Sequence, residues 1–235
     1  FVRKNYEVHE WKHACAILQN DFPAEWQDLV SLLEQFRLHK SWIAVGGGRK
    51  SKVSQAIDDY LLERGWVEKE FSTSVQVDDQ VMDSPTHKVD CYKNRVALEI
   101  EWNNKDPFFD RDLENFHRLH ALSAISLGIV VTRGASMQDS FLERITDWLI
   151  AHGLKTEDDL DRLGIGARPA AQKKAVEDQT ARGMPFAEAF ARKFVADKFG
   201  QATTHWSKLE DRVNRGVGNP CPLLLVGLPA SILVD

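Results

Sequence analysis

The chain has 235 residues, enough for one large α/β domain or one domain with a helical appendage. Its 43% hydrophobic and 28% charged content is that of an ordinary globular protein, and no apolar run approaches the ~18 residues that cross a bilayer, so a membrane-spanning role is set aside. A net charge of -5 excludes a general, strongly basic nucleic-acid binder, so any DNA binding must come from local cationic clusters.

From the amino end, the opening FVRKNYEVHE lacks the apolar core of a signal peptide. Cys15, Cys91 and Cys221 stand far apart, in no disulfide or zinc-ligand spacing. A reducing cytoplasm is the expected location. Pro23 suits a first helical position, and Trp26, Leu29, Val30, Leu33 and Phe36 recur at helical spacing, which predicts a helix over about 23–38. The loop with Gly46, Gly47 and Gly48 leads to a second helix over 51–64, carrying Val53, Ile57 and Leu61 on one face and stopping at Gly65. GGGRKS lacks the Gly directly before Lys of a P-loop and follows no strand, so it reads as a loop that meets DNA, and no nucleotide cofactor is expected.

Strand-like segments follow around 71–77 and 87–92, then Val96 to Trp102 alternates strictly. A helix from Asp106-Pro107 to about Ala124 and a buried strand at Leu127–Val131 complete a parallel crossover. Met137, Phe141, Ile145 and Trp148 mark one further helix, and Phe186, Phe190 and Phe194 another; these aromatics read as core. Thr204 is a candidate cap for a helix carrying Trp206, Leu209 and Val213, which Arg215 to Pro220 breaks before a last apolar strand from Pro222 to Leu228. No repeat or linker divides the chain, so a single domain over 1–235 is expected.

In a strand successive side chains face opposite ways, so Val96, Leu98, Ile100 and Trp102 share one side while Ala97, Glu99 and Glu101 share the other. A two-residue turn centred on Lys93-Asn94 sets Asp90 opposite Ala97, on the carboxylate side, whereas an odd loop breaks this parity. Like charges about 4 Å apart repel by about 4 kcal/mol at an effective dielectric of about 20, so three such acids need a cation. Oxygen-only ligands suit magnesium. The competing reading is an exposed sheet face on which Glu99 and Glu101 merely keep an edge soluble. The basic clusters Arg49-Lys50-Ser51-Lys52, Lys88 with Lys93 and Arg95, Lys173-Lys174, and Arg212 with Arg215 read as phosphate contacts or as solvated surface. His117 and His120 with Glu114, and likewise His9 and His13, read as polar surface or core-edge residues, since no strict ligand motif encloses them.

The run THKVDCYKNRVALEIEWNNKD (86–106) resembles the active-site hairpin of the PD-(D/E)XK nuclease superfamily, and in particular that of restriction endonucleases of the BglII, BstYI and BamHI group. The similarity extends to the helix at 23–38, SKV at 51–53, RGWVE at 64–68, the helix and strand at 107–132, and RGVGNPCPLLLVG at 215–227. It leaves about 155–200 unplaced, as an insertion or helical subdomain. The resemblance implies an α/β restriction-endonuclease-like fold, a central mixed sheet flanked by helices with extra helices in the C-terminal third. It implies magnesium-dependent hydrolysis of double-stranded DNA at a palindromic, GATC-containing site with four-base 5′ overhangs, by a homodimer. Asp90 and Glu99 become metal ligands, with Glu101 a third ligand or general base where the superfamily at large has Lys. One of Glu68, Lys69 or Glu70 matches a further group-specific position. Asn104, with Asn103 beside it, falls where the group reads bases, and an Asn amide pairs well with adenine; the alternative is that both turn the chain before Asp106 caps the next helix. Arg111, Arg212 and Arg215 are candidates for guanine or phosphate contacts. Other functions compatible with the same residues are a repair or structure-specific nuclease, and a sequence-specific DNA-binding protein without turnover.

Overall fold

The structure, a computed structural model, describes residues 1–45, 50–83, 86–166 and 168–235. The glycines at 46–48 and Arg49 lie outside the described residues. The first elements are α1 (Val2–Asn5), β1 (Glu7–Trp11), α2 (Ala14–Asp21), α3 (Pro23–Gln35), β2 (Leu38–His39), α4 (Lys40–Ala44) and α5 (Lys52–Leu62). Pro23 opens α3 as expected, and the Ser51 hydroxyl caps α5 by accepting from the Ser54 amide at 3.0 Å. Next come β3 (Val67–Lys69), β4 (Ser74–Val77), β5 (Gln80–Asp83), β6 (Val89–Lys93), β7 (Val96–Glu101), α6 (Phe108–Ala121) and β8 (Leu127–Arg133). The chain closes with α7 (Ala135–Ala151), α8 (Asp158–Arg162), α9 (Ala170–Thr180), α10 (Phe186–Phe199), α11 (Trp206–Asn214), β9 (Leu223–Leu228) and β10 (Leu233–Val234). Among the described residues no helix is long and apolar enough to cross a membrane.

Six strands form one mixed sheet in the order β1-β9-β8-β7-β6-β3. Its centre, β7, β8 and β9, is parallel, and β1, β6 and β3 each run antiparallel to a neighbour. Strands buried on both faces read as continuous apolar runs, which is how LGIVV and LLLVGL look. One face, with Leu98, Ile100, Ile129, Val131, Leu224 and Val226, packs under α3, α5, α7 and α10 in the larger core. Phe190, Phe194 and Phe199 belong to that core, so the stretch at 155–200 is packed onto the same sheet. The other face, with Ala97, Val130, Leu223 and Leu225, lies under Phe109, Leu113 and Phe116 of α6 and Leu209 and Val213 of α11.

Small residues decide how closely α6 approaches. Ala97 pairs with Gly128 across β7 and β8, and a Cβ on Gly128 would stand 2.3 Å from the Phe116 ring. The ring therefore fills the space a side chain at 128 would take, and α6 sits close enough for Arg111 and Asp112 to reach Glu101 at the end of β7. The strand expected around 71–77 is β4, over 74–77; it pairs with β5 in a separate hairpin exposed on both sides. One expectation needs correction. Thr204 is not the cap of α11: its N–H bonds the Asn104 carbonyl at 2.8 Å and its own carbonyl accepts from Arg133, so the helix starts one residue later, from His205.

Candidate active site

The hairpin β6–β7 turns on Asn94 and Arg95, with φ of 45° and 72°. Two central residues with positive φ make a tight turn whose twist matches the strands. It falls one residue later than Lys93-Asn94, so the pairs are Lys93↔Val96, Tyr92↔Ala97 and Cys91↔Leu98. One step further sets Asp90 opposite Glu99 rather than Ala97. Because the loop still has an even length, Asp90 stays in register with the carboxylates. The regular ladder ends there: β6 bulges against β3 between Val89 and Tyr92. The Asp90 N–H points at Glu99 Oε2 (3.4 Å), and Asp90 Oδ2 accepts from the Ile100 amide (3.0 Å). A side chain thus takes the place of a ladder bond, and the two strands part at the acids.

The exposed-edge reading of these acids is overturned. β7 is an interior strand, and Glu99 and Glu101 are 1% and 2% exposed. A third buried acid, Asp112, descends on them from α6. Burial first, then the charges of Asp112 and Asp90, hold the Glu99 carboxyl well above its ordinary range. Burial and then Asp112 push Glu101 up to about 9. Asp112 is raised by burial, against the pull of Arg111. Arg111 is the nearby cation: Nη2 lies 2.8 Å from Asp112 Oδ1 and 3.5 Å from Glu101 Oε1. The Asn104 amide donates to Glu101 Oε2 at 2.8 Å.

The donor set fits a hard divalent cation. Its ligand atoms are all oxygen, the Arg111 guanidinium pairs with only two of the four carboxyls, and Glu99 Oε1 is buried without a hydrogen-bond partner. Among the described residues no three acidic, histidine or cysteine side chains stand as a ready-made ligand group. Asp90 is drawn to Ile100, and Glu101 to Asn104 and Arg111, so the carboxyls are adjacent but turned to protein partners.

A cleft of about 510 Å³ opens at this end of β7. Asp90, Glu101, Asn103, Asn104 and Arg111 line it, while buried Glu99 does not line it but faces the Asp90 amide. Lys50, Lys52 and Lys198 also line the cleft. Lys50 and Lys52 belong to the basic run at 49–52, with Lys50 paired to Asp58, whereas the other basic runs seen in the sequence are mostly neutralised away from the cleft: Lys88 pairs with Glu68 (2.7 Å), Lys93 with Asp28 (2.8 Å) and Lys173 with Glu157 (3.4 Å). Arg212 and Arg215 lie elsewhere. Arg212 is buried with both prongs on Asp110 (2.8 and 2.9 Å), and Arg215 is exposed and bonds the Asp211 carbonyl. Glu68, Lys69 and Glu70 are not among the cleft residues; Lys69 rests over the rings of Phe71 and Tyr92. His117 and His120 each bond a backbone carbonyl.

Two site residues escaped the sequence reading. Asp112 was detectable, since it shares an apolar stripe with Phe109 and Phe116 at helical spacing. His87 lines the cleft, where burial and Arg111 lower its pKa; its backbone is held on both sides by the Asn115 amide (2.8 and 3.3 Å). Nothing local in the sequence marks it.

A six-stranded mixed sheet flanked by helices, with a carboxylate-lined cleft at the end of a central strand, is that of a restriction-endonuclease-like DNA hydrolase. A family model described as restriction endonuclease BglII/BglIII matches residues 6–228, and the chain belongs to that family. It is accordingly a DNA-cleaving hydrolase, a type II restriction endonuclease of the BglII group that acts on double-stranded DNA. No curated protein matches the chain.

Proposed function

We propose that the enzyme is a homodimer that uses magnesium to hydrolyse phosphodiesters at a palindromic, GATC-containing site, leaving 5′ overhangs. The palindrome and the overhang rest on the resemblance of the hairpin and its flanking segments to the BglII, BstYI and BamHI group. A two-fold symmetric site is matched by a two-fold symmetric protein, which supports the dimer.

The observation that carries the metal is the burial of Glu99, Glu101 and Asp112 beside half-buried Asp90, with the Arg111 guanidinium paired to only two of the four carboxyls, Glu101 and Asp112. Asp90 and Glu99 would hold the ion, with Glu101 as third ligand or general base. Bound there, a divalent cation supplies a water of lowered pKa and neutralises charge on the departing oxygen. The chain's own groups set the rest. Burial and then Asp112 raise the proton affinity of Glu101, so without a cation that carboxyl holds its proton near neutrality. Arg111 steadies both carboxyls, and Asn104 fixes the Glu101 oxygen it donates to. Asn103 and Asn104, exposed beside the acids, are placed to read base edges.

Incubation with magnesium and DNA of known sequence, followed by mapping of the ends, tests the whole reading: discrete fragments with four-base 5′ ends around GATC support it, and branch-dependent or random cutting refutes it. Glu99→Ala is expected to abolish cleavage while specific binding in calcium survives.

A further inference from the structure

Arg133, at the carboxyl end of β8, is fully buried and has no carboxylate partner among the described residues. Its guanidinium lies among the rings of Phe199, Phe141 and Trp102, at 5.0, 5.6 and 6.0 Å from their centroids. A cation left unpaired by any anion in such a place needs a reason, since desolvation disfavours it. The atoms it does bond supply one: Nε donates to the Thr204 carbonyl at 3.1 Å, and Nη2 donates to Thr203 Oγ1 at 2.7 Å.

Thr203 and Thr204 are in turn paired with the cleft wall. The Thr204 amide bonds the Asn104 carbonyl (2.8 Å), Lys105 bridges Thr203, and the Asp106 amide bonds the Ala202 carbonyl (3.0 Å). Asn104 then donates its side chain to Glu101. The geometry points to Arg133 as a positioning residue, clamping the 202–204 segment so that Asn103, Asn104 and Glu101 keep one arrangement. Recognition of bases and placement of a carboxyl at the scissile phosphate thus share one buried anchor. The inference rests on the proposed role of Asn104 in reading DNA.

The test uses Arg133→Met, which fills the aromatic cage without the fork, and Thr203→Val, which removes one acceptor of the fork together with that hydroxyl's own bond to the Gly200 carbonyl (2.7 Å). Turnover and discrimination between the mapped site and sites altered by one base are measured, with thermal unfolding of each variant. Displacement of a catalytic constellation by about 1 Å can cost about 100-fold. Arg133→Met is expected to stay folded, lose about that much turnover at saturating DNA, and narrow discrimination by about 10-fold or more. Thr203→Val is expected to move both in the same direction by less; should Arg133→Met fail to fold, this variant alone decides. Native turnover and discrimination in Thr203→Val, or in a folded Arg133→Met, overturn the inference. Asn104→Ala separates the two levels: unchanged discrimination there overturns the recognition reading itself, whereas changed discrimination there beside native behaviour in the other two variants overturns the anchor alone.

Discussion

Two hairpins of this molecule invert the usual placement of side chains. In β6–β7 every residue of β7 is buried, Glu99 and Glu101 included. In β4–β5 every residue is exposed, and Val75, Val77, Val81 and Met82 are 44%, 52%, 65% and 51% accessible. Polarity did not choose these positions; place in the sheet did. β7 lies between β8 and β6 with helices on both faces, while β4 and β5 pair only with each other. Buried carboxyls raise the free energy of the fold unless something compensates, so their presence in the interior strand marks chemistry, whereas exposed valines on an outlying ribbon cost little.

The sharpest way to break that contrast acts on the interior hairpin. Asp112→Asn keeps the shape but removes the charge that, after burial, raises Glu101 most, and a supporting group of this kind typically accounts for 10- to 100-fold in activity or metal affinity, roughly. Steady-state cleavage rates at saturating magnesium check it. Gly128→Ala should come next: its Cβ would strike the Phe116 ring, so α6 must lift, at a cost of about 1–3 kcal/mol in denaturant unfolding. Asp112 would rise with the helix, and cleavage should fall as well.

The interior acids also set a pH dependence. The folded-state affinity of Glu101 for its proton is raised, to about 9, above the ordinary carboxylate range of the unfolded chain. Its contribution to stability is therefore complete at low pH, where both states hold the proton, and is lost as pH climbs from the carboxylate range toward about 9. Glu99 and Asp112, also raised, act in the same direction. Thermal unfolding of metal-free protein should fall in midpoint across that window, and calcium should flatten the slope. The smallest effect belongs to the outer ribbon: Val81→Ser should change unfolding by no more than about 0.5 kcal/mol and leave cleavage untouched.

Much of this contrast was legible before any fold was known. The alternation of Val96 to Trp102 set Glu99 and Glu101 on one side, and the regular spacing in α3, α6, α7 and α10 matched the helices found. What could not be read was which sides face solvent, because alternation looks the same in a half-exposed strand and in one whose second face is covered by a distant helix. Asp112 reaches Glu101 only because Ala97 and Gly128 let α6 down, a tertiary fact. β1 was missed for a related reason: Glu7, His9 and Glu10 look unlike a strand, yet Glu7 caps α7 through the Ala135 and Ser136 amides at 2.6 and 3.1 Å. Arg212 and Arg215 looked alike in sequence, and only packing shows one locked onto Asp110 and the other at the surface.

The central claim is that the parted end of β6–β7 gathers its acids around a divalent ion. Calorimetric titration of calcium into the native protein and into Glu99→Gln, each in two buffers of different ionisation enthalpy, tests it most directly. Saturable binding with release of protons in the native protein, absent or at least about 10-fold weaker in the variant, is the predicted result. Equal binding by both, or binding without proton release, contradicts it.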